Sequence, residues 1–291
     1  MAASENGAVY LGSDLDCTLL AGQREQKFRP MADQSREQLR QAIIRRRLDR
    51  PDSPTLFGSI TGRTLQDHLN LERDPAFART VTAMDFTIGS VGAEMEIRDR
   101  QGQFQPVTNW PNPANWNAEL IYHHLMSNVN DGELRRQEDI AQSEHKLSFY
   151  VNAPDVSHER YVKKIQALLA QRALHATVIY SGGIYLDLLP VTKQGTPVHK
   201  GSALIHNVHL LAEVHNLAEL PRVGFAGDSK NDCDAFQAAI DLGGVALLPS
   251  NISREMHLWA TNNLPEKRRH IAKAAYGAGV LEGMQRFGLL D

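Results

Sequence analysis

Apolar positions along this chain fall into two kinds of run. Short stretches rich in β-branched and aromatic residues, such as Val9-Tyr10-Leu11 and Thr55-Leu56-Phe57, alternate with longer ones in which apolar residues recur at helical spacing, as in Leu39, Ile43, Ile44 and Leu48. That alternation predicts a parallel sheet covered by helices. Strands are expected at 8–13, 55–60, 85–91, 223–227 and 244–248, and helices at about 32–48, 200–215, 231–240, 253–261 and 277–287.

A different texture separates these elements. A helix is expected near 114–129, a strand at 146–151, a long helix at 157–172, and strands at 176–180 and 184–189 that face each other across the turn Ser181-Gly182-Gly183. Strands paired through turns indicate an inserted α+β domain. The expected division is a core of 1–92 and 191–291 with an insertion of 93–190, bounded by Gly89–Gly92 and by the linker Pro190–Pro197.

Composition narrows the class of protein. With 291 residues, 42% hydrophobic and 22% charged, the chain is long enough for two modest domains and has the make-up of an ordinary globular protein. A net charge of −3 argues against a nucleic-acid partner, and the basic run Arg45-Arg46-Arg47 ends a helical pattern, where a solvated helix end is the expectation. No apolar run approaches the roughly 20 residues of a membrane span, and the opening MAASENGAVY lacks a secretory layout, so no membrane partner and a cytoplasmic setting are expected. Two cysteines, Cys17 and Cys233, are too few for a disulfide framework. His206 and His209 have neither an intervening Glu nor a third ligand, so packing or surface roles are expected.

Candidate chemistry begins where the first strand runs into Asp14-Leu15-Asp16-Cys17-Thr18. A strand ending in Asp-x-Asp also fits a simple turn, because Asp bonds its own backbone. A calcium loop matches the first positions, but Leu19 stands where glycine is required. The chemical reading makes Asp14 a nucleophile and Asp16 a proton donor and base, at the carboxyl end of a strand where open α/β sheets place ligands. Three further stretches fit that reading. Thr61 and Gly62, in Ser59-Ile60-Thr61-Gly62-Arg63, suit a phosphoryl oxygen; Lys200 opens a helix and suits two anions; Asp228 and Asp232, with Asn231, follow a strand and suit Mg²⁺.

These four stretches, in this order, make the chain similar to haloacid-dehalogenase-superfamily phosphatases with a large α/β cap inserted between the second and third. "SVGAEMEI", "NWPNPANWNAEL", "KLSFYV", "VIYSGGIYLDLLP", "HKGSAL" and "GAGVLEGMQRFGLL" extend the resemblance to sucrose-phosphate phosphatases over nearly the whole chain. It implies a Rossmann-like parallel core with an α+β cap, and Mg²⁺-dependent hydrolysis of a small phosphorylated sugar through an aspartyl-phosphate. It also implies that Asp14 is the nucleophile and Asp16 the acid/base, and that Thr61, Gly62, Lys200 and Asn231 bind phosphate. Asp14, the Asp16 carbonyl and Asp228 would hold Mg²⁺, with Asp232 in support. Glu94, Lys146, Ser181 and Asp187, in family-like stretches of the cap, are the expected substrate contacts. A phosphomutase and a silent sugar-phosphate-binding module remain alternatives on the same scaffold. Two departures stand out: Cys17 replaces the usual Asn or Gly, and Ile184-Tyr185 replace a more polar pair, which predicts a sugar pocket unlike that for sucrose phosphate.

Overall fold

The expected strands assemble side by side in a computed structural model of the protein, which describes residues 7–152 and 157–291. The first half of the large sheet is laid down by β1 (Val9–Ser13), α1 (Arg29–Asp49), β2 (Thr55–Ile60), α2 (Leu65–Leu71), α3 (Pro75–Val81), β3 (Phe86–Gly89), β4 (Glu94–Arg98) and β5 (Phe104–Pro106). The chain then forms α4 (Ala118–Met126), β6 (Leu134–Arg136), β7 (Leu147–Val151), α5 (His158–Ala170), β8 (Thr177–Ser181) and β9 (Tyr185–Leu189). It returns through α6 (Lys200–Val214), β10 (Arg222–Ala226), α7 (Cys233–Asp241), β11 (Val245–Leu248), α8 (Arg254–Asn263), β12 (Arg269–Ile271) and α9 (Tyr276–Arg286).

Eight strands form one sheet in the order β12-β11-β10-β1-β2-β3-β4-β5, and four form another in the order β6-β7-β9-β8. From β12 to β3 every pairing is parallel, whereas β4 and β5 add antiparallel. The expected boundary at 93 therefore falls before two strands that extend the large sheet; the second sheet takes its strands from 134–189.

Period-two alternation fixes the layers. In β1, Tyr10 points into the cluster that holds Leu56, Phe86, Leu204, Phe225 and Phe236, while Val9 and Leu11 point into the opposite one with Leu39, Ile43, Phe57, Val280 and Met284. All of these side chains are buried, and each contributes about 1.5–3 kcal/mol of transfer free energy. In the small sheet, Phe149, Val151, Tyr180, Leu186 and Leu188 pack with Ile121, Leu125 and Ile165 of α4 and α5. The face opposite α4 and α5 carries Ser148, Tyr150, Ile179, Ser181, Tyr185 and Asp187, as the registers Ser148↔Asp187, Tyr150↔Tyr185, Ile179↔Asp187 and Ser181↔Tyr185 require.

The arginine triplet departs from expectation. Arg45 is solvated and faces Asp49, but Arg46 is buried and donates to Ser53 O and Thr55 Oγ1, while Arg47 pairs with Asp85. Two of the three arginines thus pin the start of β2 to the end of α1. Among the described residues, no helix is long and apolar enough to cross a membrane.

Candidate active site

The site forms where the sheet reverses its direction of growth. From β1 the chain proceeds to β2 and β3 on one side, and later to β10, β11 and β12 on the other, so the carboxyl ends around β1 border a crevice. Ser13 lies opposite both Ser59 and Ala226, which delivers Asp14, Thr61 and Gly227-Asp228 to adjacent strand ends. The backbone continues the pairing one step further: Asp14 N donates to Ala226 O at 2.8 Å and Thr61 N to Ile88 O at 2.8 Å.

Lys200 reaches this point from the start of α6. His199 caps the helix, its Nδ1 accepting from Gly201 N and Ser202 N, while Ser202 Oγ accepts from His199 N. A Cβ on Gly201 would lie 2.3 Å from Asp234 O, so glycine is what lets this first turn lie against the start of α7. The Lys200 side chain, 0% exposed, donates to Asp14 Oδ1 at 2.9 Å and to Asp232 Oδ1 at 2.6 Å, with Asn231 Oδ1 at 3.4 Å. Asp232 is held from its other oxygen by Asp228 N and Ser229 N, each at 3.0 Å. Asp228 accepts from Thr18 Oγ1 at 3.0 Å.

Asp14, Asp228 and Asp232 offer carboxylate oxygens within 4.8 Å of one another. Burial raises Asp14 to about 7 against the lowering effect of Lys200, with Asp232 and Asp16 adding to the rise. Burial, Asp232 and Asp14 likewise push Asp228 well above the usual carboxylate range. Three carboxylates face one ammonium, so the buried charge is not balanced by protein groups alone. Hard oxygen donors with unbalanced negative charge fit a divalent cation.

Asp16 stands apart from this cluster. Its carboxylate, 40% exposed, is gripped by Arg63, with Nε to Oδ2 and Nη2 to Oδ1 both at 2.8 Å. Thr61 is buried, and its Oγ1 accepts from Arg63 N at 3.2 Å. Gly62 leaves room toward Asn231, whose Nδ2 would be 4.0 Å from an added Cβ.

The four expected substrate contacts separate. Glu94 belongs to β4 of the large sheet, where its Oε2 accepts from Ser90 Oγ at 2.5 Å and Leu65 N at 3.1 Å. Lys146, buried, donates to Gly62 O at 2.8 Å and lies 3.7 Å from Asp187, which accepts from Ser148 Oγ at 2.5 Å. Ser181 ends β8 on the face opposite α4 and α5, where its carbonyl accepts from Ile184 N at 3.3 Å. Ile184 and Tyr185 are exposed, and the Tyr185 ring lies 5.9 Å from that of Tyr150. A cleft of about 500 Å³ runs between α5 with β8 and residues 230–234 with Trp259; of the expected site residues it touches Asn231.

Sequence reasoning gave no role to Arg63, although it sits in the Thr61-Gly62-Arg63 stretch, nor to Asn251, whose Nδ2 donates to Cys17 O at 2.6 Å. Cys17 has φ +59°, a left-handed conformation in which Asn or Gly is at ease. Burial, Asp228 and Glu25 raise the Cys17 thiol, and burial with Asp232 and Asp234 pushes Cys233 up to about 12.

Fold and site together define a member of the haloacid-dehalogenase superfamily. Residues 8–288 match the family Sucrose-6F-phosphate phosphohydrolase, and the chain belongs to it. Over 244 residues it is 30% identical to probable sucrose-phosphatase 2 of Arabidopsis thaliana, a match that covers 82% of this chain and 52% of that protein. Sucrose-phosphatase 1 of Nicotiana tabacum is 29% identical over 247 residues, again 82% and 52% of the two chains. The chain thus spans about half the length of these curated relatives. The structure of the sucrose-phosphatase from Synechocystis, in complex with sucrose and phosphate, superposes with a TM-score of 0.71 at 20% identity, covering 97% of this chain and 98% of that one. A sugar phosphatase of haloacid-dehalogenase subclass IIB, BT4131, has the same fold at a TM-score of 0.61 and 11% identity, covering 97% and 100%.

Proposed function

We propose that this protein hydrolyses the phosphate monoester of a small soluble sugar, with Asp14 as nucleophile and Mg²⁺ as the cation. The observation that carries this reading is the Asp14 carboxylate held by a fully buried lysine beside Asp228 and Asp232 at adjacent strand ends. Lys200 orients Asp14 toward the phosphorus and lowers the repulsion between two anions. Thr61, the Gly62 amide and Asn231 hold the phosphoryl oxygens in line. An Asp14 oxygen forms a bond to phosphorus as the ester P–O bond breaks, and Asp16 gives its proton to the departing sugar oxygen. Asp16 then takes a proton from water, which attacks the phosphorus of the aspartyl-phosphate, releasing orthophosphate and restoring Asp14. Asp14, the Asp16 carbonyl and Asp228 would hold Mg²⁺, with Asp232 steadying the loop, and the bound ion would offset charge on the phosphoryl group.

Residues 134–189 serve as the cap, and the face of their sheet opposite α4 and α5 takes the sugar. Tyr185 and Tyr150 offer rings against which a sugar face stacks, while Ser181 and Asp187 offer polar atoms to its hydroxyls. Half-buried free cysteines suit a reducing, cytoplasmic setting. The name of the family puts sucrose 6F-phosphate first among candidates, and the Ile184-Tyr185 wall favours other phosphorylated sugars and glycosides. Release of phosphate from a panel of phosphorylated mono- and disaccharides, with Mg²⁺ and with excess chelator, tests the proposal. Release that stops with chelator and in Asp14→Asn is expected; equal release in chelator, or from Asp14→Asn, overturns it.

A further inference from the structure

The loop that follows Asp14 is held from outside by side chains that take no part in the chemistry proposed above. Cys17 in that loop has φ +59°, and Tyr276, at the start of α9, has φ +53°. Both are left-handed positions that such side chains rarely adopt. One residue joins the two: Asn251 Nδ2 donates to Cys17 O at 2.6 Å, and Asn251 Oδ1 accepts from Tyr276 N at 3.1 Å. Tyr276, 1% exposed, is fastened at its other end, where its hydroxyl donates to Glu25 Oε2 at 2.7 Å. Asn251 lies between β11 and α8, on a loop tied to the approach of α9 by Ser250 N, which donates to Ala274 O at 2.9 Å. Strained backbone of this kind persists where its surroundings over-determine it, and it concentrates at functional sites.

The turn held in this way places Thr18. Its hydroxyl, fully buried, donates to Asp228 Oδ1 at 3.0 Å. Of the three clustered carboxylates, Lys200 binds Asp14 and Asp232, whereas Asp228 takes its side-chain bond from Thr18. We infer that Thr18 is a positioning residue for the cation site, and that Asn251 places Thr18 by fixing the turn at Cys17. The inference rests on the proposed binding of Mg²⁺ by this cluster. A carboxylate that takes a cation is ionised, and Asp228 then faces like charges on Asp14 and Asp232. Without a donor, the Asp228 side chain turns away from those charges, and its return on binding lowers the affinity. With Oδ1 bonded to Thr18, the carboxylate is already held among its neighbours, as partners of metal ligands elsewhere hold theirs. The link runs through the Cys17 carbonyl and does not need the thiol.

The test is calorimetric titration of Mg²⁺ alone into the full chain after treatment with chelator and desalting. Thr18→Val keeps the volume of the side chain and removes its hydroxyl, whereas Thr18→Ser keeps the hydroxyl. Loss of a partner that orients a metal ligand typically weakens binding by about 10–100-fold, so Kd for Mg²⁺ should rise by that factor in Thr18→Val. Thr18→Ser should stay within about 3-fold of the parent, and Asn251→Leu should weaken binding by about 10-fold. Melting in chelator is followed in parallel by circular dichroism. A merely structural residue lowers the melting temperature and leaves the Kd of the folded protein where it was. A parent Kd in Thr18→Val, or a Thr18→Ser as weak as Thr18→Val, overturns the inference. A parent Kd in Asn251→Leu beside a raised one in Thr18→Val overturns the part given to Asn251. If Asn251→Leu does not fold, Asn251→Gln, which keeps the amide and displaces it by one methylene, decides the same point. Failure of the underlying reading looks different: the parent protein itself then takes up no Mg²⁺, and the inference falls with it.

Discussion

Replacing Lys200 by Met keeps the length and packing of a fully buried side chain and removes its charge. That ammonium stands 2.9 Å from Asp14 and 2.6 Å from Asp232. At an effective dielectric of about 20, each contact is worth roughly 6 kcal/mol before desolvation. Burying the ions costs several kcal/mol apiece and offsets much of this, so the variant reads the remainder together with the repulsion left behind. Removal of one partner from a buried pair typically costs about 3–5 kcal/mol. With three carboxylates around a single lysine, Lys200→Met should fall in that range. At about 2–4 °C per kcal/mol for a chain of this size, melting should drop by roughly 6–20 °C when followed by circular dichroism in chelator. Excess Mg²⁺ should recover part of the loss, because a bound cation replaces the missing positive charge among the same carboxylates. A melting temperature in chelator within about 2 °C of the parent would mean that the lysine does not neutralise the cluster. A loss of full size that Mg²⁺ leaves unchanged would mean that the cluster does not bind the ion.

Other perturbations have smaller and equally definite outcomes. Cys17→Gly removes a left-handed cost of about 1–2 kcal/mol and adds back some backbone entropy, so urea unfolding should give a net gain of about 0.5–1 kcal/mol with turnover retained; a loss of more than about 1 kcal/mol would mean that the Cys17 side chain holds the loop. In the cap, burial works against the Glu133 carboxylate, but Lys164 at 2.6 Å and the Asn130 amide hold it below the usual glutamate range. Its stabilising contribution is fully present above the ordinary value of about 4.3 and is lost as pH falls through the lower folded value. Glu133→Gln should therefore lower the melting temperature at neutral pH and leave it nearly unchanged at the acid end; an equal drop at both ends would refute the ion pair as its source.

Much of the core was legible in the chain because β1, β2, β3, β10 and β11 are short apolar runs that stop at a polar stretch. β1, β2 and β10 end within one residue of where Asp14, Thr61 and Gly227 begin, and parallel pairing brings those ends together whatever lies between them. The parts that escaped lack such a signature. β12, Arg269–Ile271, is three residues with two basic ones, and α2 and α3 are seven residues each, too short for a helical period to register. β4 and β5 alternate polar and apolar residues across a tight turn, the texture of the inserted domain, although they complete the large sheet. Site residues followed the same division. Asp14, Lys200, Asp228 and Asp232 met as their strand and helix ends predict. The partners of Asp16, Lys146 and Glu94 did not announce themselves, because Arg63, the Gly62 carbonyl and Ser90 reach them through the placement of whole loops, which no local pattern encodes.

The central claim is that Asp14 itself becomes phosphorylated. Acid quenching during turnover of a phosphorylated sugar with Mg²⁺, followed by borohydride reduction, converts an aspartyl-phosphate to homoserine at a position that peptide mass spectrometry identifies. Asp16→Asn, which slows breakdown of the intermediate, should raise the trapped fraction. Homoserine at position 14, formed with substrate and Mg²⁺ and absent in chelator, is the predicted result; phosphate release in the parent protein with Asp14 recovered unmodified in both proteins would contradict the account.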